Sequence, residues 1–152
     1  MVEPIRRTIE VRCDPATAFA VFTERMAAWW PLDRNSVSAM SGAAARSVTI
    51  EPHVGGSVYE IAADGSRQDW ATVRTFEPGR RLVLAWHVMA PPDQATEVEV
   101  RFVPSGGGTR VELEHRGWEI LGAEAEVRRG HYDGGWVRVF DDCFARACAA
   151  AA

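Results

Sequence analysis

Near residue 117 the hydrophobic pattern of this chain changes period, from two to about four. That change limits the fold more than any other feature. Before it, Val98, Val100 and Phe102 alternate with Glu97, Glu99 and Arg101, and Val111, Leu113 and His115 alternate with Arg110, Glu112, Glu114 and Arg116. Alternation of this kind marks a strand with one wet face. The run Gly106-Gly107-Gly108 between the two segments reads as a hairpin turn. After the change, Tyr132, Trp136, Phe140 and Phe144 recur every fourth residue, with Val139 and Cys143 beside them and Arg138, Asp141, Asp142 and Arg146 on the other side. The spacing predicts a strongly amphipathic helix over 131–149. Gly134-Gly135 near its start cost about 1 kcal/mol each relative to Ala in a helix interior, so they predict a bend or a close approach to the sheet.

Upstream, 7–12 alternates as a strand, with Ile5, Ile9, Val11 and Cys13 on one parity and Arg7 as the charged exception on that side. Asp14-Pro15 then reads as a helix start, an N-cap followed by a residue suited to the first helical position. Phe19, Phe22 and Met26 make an apolar stripe, and Pro31 ends the helical region at Trp30. The segment 33–45, rich in Ser, Ala and Gly, reads as a loop, either a lid or a solvated connector. Six further strands are predicted at 46–51, 57–62, 68–76, 81–88, 96–103 and 109–115, separated by turn residues. A short helix over 119–129 leads into the last one. The whole chain, 1–152, is read as one α+β domain: an antiparallel sheet of about seven strands, one or two short helices after the first strand, and a long C-terminal helix. That helix is the only long element available to cover the apolar face of the sheet.

Composition removes several function classes. A chain of 152 residues with 47% hydrophobic residues buries a substantial core. No apolar run approaches the roughly 18 residues needed to span a bilayer. The first residues carry no apolar h-region, so a cytoplasmic protein is expected. The net charge is −4. All 17 basic residues are Arg, interspersed with Glu and Asp rather than clustered, which argues against nucleic acid as a partner. Cys13, Cys143 and Cys148 are odd in number and scattered, as free thiols are. His53, His87, His115 and His131 lie on separate elements without ligand spacing, so neither a metal nor any other cofactor is expected. Nucleophile elbows, phosphate loops and zinc-protease motifs are all missing from the sequence.

Three stretches carry a resemblance. They are Phe19-Ala-Val-Phe-Thr with Trp29-Trp30 after it, the run from Trp70 to Trp86, and His115-Arg-Gly-Trp-Glu followed by Gly135-Trp136. With them the chain resembles the SRPBCC superfamily, which includes START domains and the birch pollen allergen. Within it, the chain is similar to the branch named for the activator of the heat-shock protein 90 ATPase. The resemblance implies a helix-grip fold with a cavity between the sheet and the C-terminal helix. It does not imply one activity, because the superfamily spans lipid carriers, receptors, cyclases and chaperone cofactors.

The candidate site follows from inward positions. Six Trp invite the question of where they point. An aromatic-lined pocket would use the area of the aromatic rings for contact and their N–H or O–H groups for orientation, whereas ordinary core packing would use the area alone. The residues taken as ligand-binding are Trp29, Trp30, Tyr59, Trp86, Leu113, His115, Trp118, Tyr132, Trp136 and Phe140. The pocket is expected between Trp136 and Phe140 on the helix and the Leu113–His115 end of the sheet. His115 shares a face with Val111 and Leu113, so it points inward, as a ligand contact, an acid or base, or a satisfied core residue. Glu60, opposite in parity to Tyr59, is expected in solvent. No residue is assigned a catalytic role. The leading expectation is a carrier or sensor of a small, mainly hydrophobic molecule. A chaperone cofactor, with a chaperone or a second copy of the chain as partner, and an enzyme using His115, Tyr59 and Tyr132 are the alternatives.

Overall fold

The computed structural model describes residues 2–152. Strand β1 (Ile5–Val11) runs into helix α1 (Pro15–Glu24), the one-turn helix α2 (Met26–Trp29) and a second one-turn helix, α3 (Val37–Met40). Six strands follow: β2 (Ser47–Ile50), β3 (Ser57–Ile61), β4 (Arg67–Glu77), β5 (Arg81–Trp86), β6 (Thr96–Ser105) and β7 (Gly108–Arg116). They form one seven-stranded antiparallel sheet in the order β1-β7-β6-β5-β4-β3-β2. The chain thus meanders from β2 to β7, and β7 closes against β1, with Ile5 opposite His115. A 3-10 segment (Trp118–Glu124) leads into α4 (Ala125–Trp136), a wider π-type segment (Val137–Phe144) and α5 (Ala145–Ala151). The sheet curls around this final helical run, an α+β helix-grip architecture. No helix among the described residues is long and apolar enough to cross a membrane.

Local chemistry accounts for most of the boundaries. Asp14 caps α1, its side chain accepting from the Thr17 N–H at 2.7 Å. Gly106 and Gly107 take positive φ of 55° and 86° between β6 and β7, the conformation a two-residue hairpin requires. The final helix starts earlier than its aromatic spacing predicts, at Ala125. Gly134 and Gly135 sit inside it, directly before the π-type widening, where the extra residue per turn changes the helical face turned to the sheet.

Alternation on β6 and β7 sorts the two faces as expected. Val98, Val100, Phe102, Val111 and Leu113 are buried, and so is His115, with no exposed surface. The opposite face is a ladder of ion pairs. Burial alone would raise the Glu99 carboxyl, but hydrogen bonds from Arg81, Arg101 and Arg116 outweigh it and hold it down to about 2. Arg7, the exception in the β1 pattern, points to the inner side and pairs with Asp141 of the π-type segment, Nε to Oδ1 at 3.2 Å. The pair ties the first strand to the last helix.

On β3 the expected orientation is reversed. Glu60 is fully buried and Tyr59 is half-buried on the other face, under the guanidinium of Arg67 at 3.8 Å. Glu60 is therefore not a solvated residue. Its carboxylate meets donors that come from a distant segment. A bulge opposite β3, where Val58 faces Ala71 but Tyr59 faces Asp69, sets Trp70 out of register.

Candidate functional site

Four indoles converge where α2 ends, β4 and β5 run side by side, and α4 crosses them. Trp30 lies 5.1 Å from Trp70, 6.3 Å from Trp86 and 6.0 Å from Trp136, ring centre to ring centre. Trp86 lies 5.8 Å from Trp136. Between these rings and the 34–40 segment is a cleft of about 310 Å³, at the lower end of the ~300–1,000 Å³ range of small-molecule pockets. Its rim carries Arg34, Met40, Met89, Arg128 and His131. Met40 and Met89 are 70% and 62% exposed. Flexible thioethers at an entrance adapt to the outline of what enters.

The hydrogen bonds of the rings decide what the walls offer. Trp29 donates to the Val21 carbonyl at 2.8 Å and Trp30 to the Asn35 carbonyl at 2.7 Å. Trp70 donates to Glu60 at 2.8 Å and Trp86 to the Tyr132 hydroxyl at 2.9 Å. Trp118 donates to the His115 carbonyl at 3.0 Å and Trp136 to His115 Nδ1 at 3.1 Å. All six indole N–H groups are thus engaged within the protein. Four of the rings, Trp30, Trp70, Trp86 and Trp136, line the cleft, and their N–H groups are turned to protein acceptors.

His115 stands behind the cleft, not in it. Because Nδ1 accepts from Trp136, the ring proton resides on Nε2, which donates to the Thr96 hydroxyl at 2.7 Å. Thr96 in turn donates to the Trp86 carbonyl at 3.3 Å. Burial lowers the imidazole from 6.5 to about 3, so it stays neutral. A neutral ring with both nitrogens engaged and no exposed surface has no free site for proton transfer. It accepts from the Trp136 ring and, through Thr96, is linked to the backbone of Trp86.

Glu60 likewise accepts from a ring of the cleft. Oε1 accepts from the Val37 N–H at 2.6 Å and from the Trp70 indole at 2.8 Å. Oε2 accepts from the Ser38 N–H at 3.0 Å and the Ser38 hydroxyl at 2.6 Å. One carboxylate therefore fixes both the start of α3 and a wall of the cleft. The 33–45 segment is not a plain connector: Arg34, Asn35, Ser36 and Met40 form one side of the opening.

Of the ten residues predicted from sequence, Trp30, Trp86, Tyr132 and Trp136 line the cleft. His115 and Trp118 lie one layer behind it. Trp29, Leu113 and Phe140 belong to the packed core, and Tyr59 is on the far face of the sheet. Sequence reading missed Trp70, whose parity the bulge disguises, and the rim residues Arg34 and Arg128. A search for inward apolar positions passes over exposed Arg. No cluster of His, Cys, Asp or Glu among the described residues is arranged to hold a metal ion.

A curled antiparallel sheet that grips a C-terminal helix and leaves an aromatic cleft between them defines a helix-grip protein of the SRPBCC type. The chain belongs to the family described as activator of Hsp90 ATPase homolog 1-like protein, whose sequence profile matches residues 12–147. Among solved structures it is similar to Txn09, an anthrahydroquino-gamma-pyrone synthase. The identity is 31% over 96% of this chain and 97% of the other, with a TM-score of 0.66. It is also similar to CalC, a self-sacrificing resistance protein from Micromonospora echinospora, at 25% identity over 95% and 93% of the two chains, with a TM-score of 0.72. The Aha1 dimer from Colwellia psychrerythraea shares the fold at 15% identity, over 97% of each chain, with a TM-score of 0.69. No curated protein matches the chain.

Proposed function

We propose that this chain binds a small, planar, largely apolar aromatic molecule, of the fused-ring polyketide kind, in the tryptophan cleft. The observation that carries the reading is the set of four indole rings around one opening with every N–H already engaged. Such walls reward flat π-surface and offer little to a flexible acyl chain beyond area. Both Txn09, by its name a maker of an anthrahydroquino-gamma-pyrone, and the cleft volume of about 310 Å³ support a ligand of this kind. The test is a titration of intrinsic tryptophan fluorescence with 2-methylanthraquinone, with dodecanoate as the flexible comparison. Saturable quenching at one equivalent by the quinone, and none by dodecanoate, is the expected result. The absence of saturable quenching by the quinone would end the reading.

The likeness to Txn09 favours a second reading, ring closure on such a ligand. Tyr132 is the one cleft hydroxyl placed to assist. Burial raises its phenol, so it remains protonated and donates to a ketone oxygen. The corresponding reaction joins a phenol oxygen to a neighbouring ketone carbon and releases water, giving a γ-pyrone. Incubation with 1-(2-hydroxyphenyl)butane-1,3-dione, followed by mass spectrometry, would show accelerated loss of one water. A rate equal to that of buffer would rule this reading out. At 15% identity the Aha1 dimer supports the fold alone, so neither a chaperone nor a second copy of the chain is proposed as partner.

A further inference from the structure

The polar character of the cleft is one-sided. With the indole N–H groups engaged, Ser36 donating to the Leu32 carbonyl at 2.8 Å, and the Asn35 side chain accepting from Arg138 at 3.4 Å, few polar groups remain for an occupant. Those that remain are two guanidinium cations and the donors of the Asn35 amide and the Tyr132 hydroxyl. Arg34, from the segment before α3, and Arg128, from α4, both line the cleft together with His131 and Tyr132, and no Asp or Glu lines it. The charge of the whole chain is −4, so this rim is a local inversion. Arg128 has one acidic neighbour, Glu124, at 3.8 Å, and Glu124 is 74% exposed. A pair so exposed neutralises little. Arg34 makes no ion pair among the described residues. The Tyr132 hydroxyl accepts from Trp86 and has no acceptor for its own proton among the described residues.

We propose that the occupant carries an ionised oxygen, a carboxylate or an acidic phenol, held at the mouth of the cleft by Arg34 and Arg128. The Tyr132 hydroxyl then donates to an oxygen on the same edge of the ring system. The inference rests on the reading of the cleft as a site for flat aromatic molecules and adds the polarity of one edge. Two guanidinium groups across an apolar-walled opening focus a positive field into it, and the low-dielectric rings behind them strengthen the attraction. A neutral ligand would gain the stacking and leave both cations unused. An anionic one uses both, since the guanidinium fork matches a carboxylate in shape.

The experiment compares two probes of the same shape, anthraquinone-2-carboxylate and 2-methylanthraquinone, by fluorescence titration at 20 mM and 500 mM NaCl, in the native chain and in an Arg34→Ala/Arg128→Ala double variant. The carboxylate is expected to bind at least tenfold tighter in low salt. The advantage should shrink in high salt, and the ratio of the two affinities should fall to near one in the double variant. Equal affinities in the native chain, or a ratio unchanged in the double variant, would overturn the charge inference while leaving the aromatic reading standing. If neither probe binds, both fall.

Discussion

The two ends of the core are built from different aromatic residues and come to different ends. Towards the α1 side, Phe19, Phe22, Phe102 and Phe144 close onto one another, mostly edge to face. Phe22 lies 5.2 Å from Phe144, Phe19 lies 5.2 Å from Phe102, and Trp29 covers Phe144 at 5.1 Å. Towards α4, the four tryptophans stand around a cleft. Phenylalanine contributes area without a polar condition, so its cluster collapses until it is full. Tryptophan brings an N–H that needs an acceptor when buried. Here the acceptors are Glu60 and His115, set behind the rings, and Tyr132 and the Asn35 carbonyl, from residues that line the cleft. The comparison teaches that a layer of buried polar groups keeps an aromatic cluster open where an all-apolar one would fill.

Four measurements would break or sharpen that contrast. Phe144→Ala empties the packed end and should cost about 3–5 kcal/mol in denaturant unfolding. A loss below about 1 kcal/mol would mean that this end is not the stabilising one. The second acts through His115. Its folded-state pKa lies below its unfolded one, so the unfolded chain takes up a proton that the native chain refuses. Stability is therefore undiminished above about 6.5 and falls as pH drops towards about 3. The slope from this residue is roughly 1.4 kcal/mol per pH unit, or about 2 kcal/mol between pH 6.5 and 5. His115→Gln should remove that part of the acid sensitivity, and an unchanged slope in the variant would show that His115 is not sealed. Glu60→Gln turns an amide NH₂ towards at least one N–H of the 37–38 segment. It should cost on the order of 1 kcal/mol or more and speed hydrogen exchange over 33–45 without touching the phenylalanine end. Uniform acceleration across both ends would erase the distinction. The smallest effect is expected from Arg7→Ala. The Arg7–Asp141 pair is partly exposed, so its loss should stay below about 1 kcal/mol and fade in high salt.

How much of this was legible follows from what each pattern reports. Alternation on β6 and β7 states which side chains meet water, and it correctly turned His115 inward. It does not state what a buried residue will touch. The same rule sent Tyr59 inward and Glu60 outward, because an aromatic is the better guess for a core when only neighbours in sequence are counted. The structure reverses them because the N–H groups of Val37 and Ser38, more than twenty residues away along the chain, arrive over β3 and need a carboxylate. The bulge at Trp70 is equally silent in the sequence, since it is a mismatch between two strands and not a property of one.

By itself, then, the sequence determined the elements: seven strands, a capped first helix, a glycine hairpin and a long amphipathic helix at the end. These follow from period, capping and backbone chemistry, all of which act over a few residues. Only the tertiary structure decided that the tryptophan end stays open, that His115 sits behind the cleft wall, and that Arg34 and Arg128 line one cleft. Those outcomes depend on how far the final helix stands off the sheet and on which distant donors meet which buried acceptors. Neither quantity is written in any local stretch of the chain.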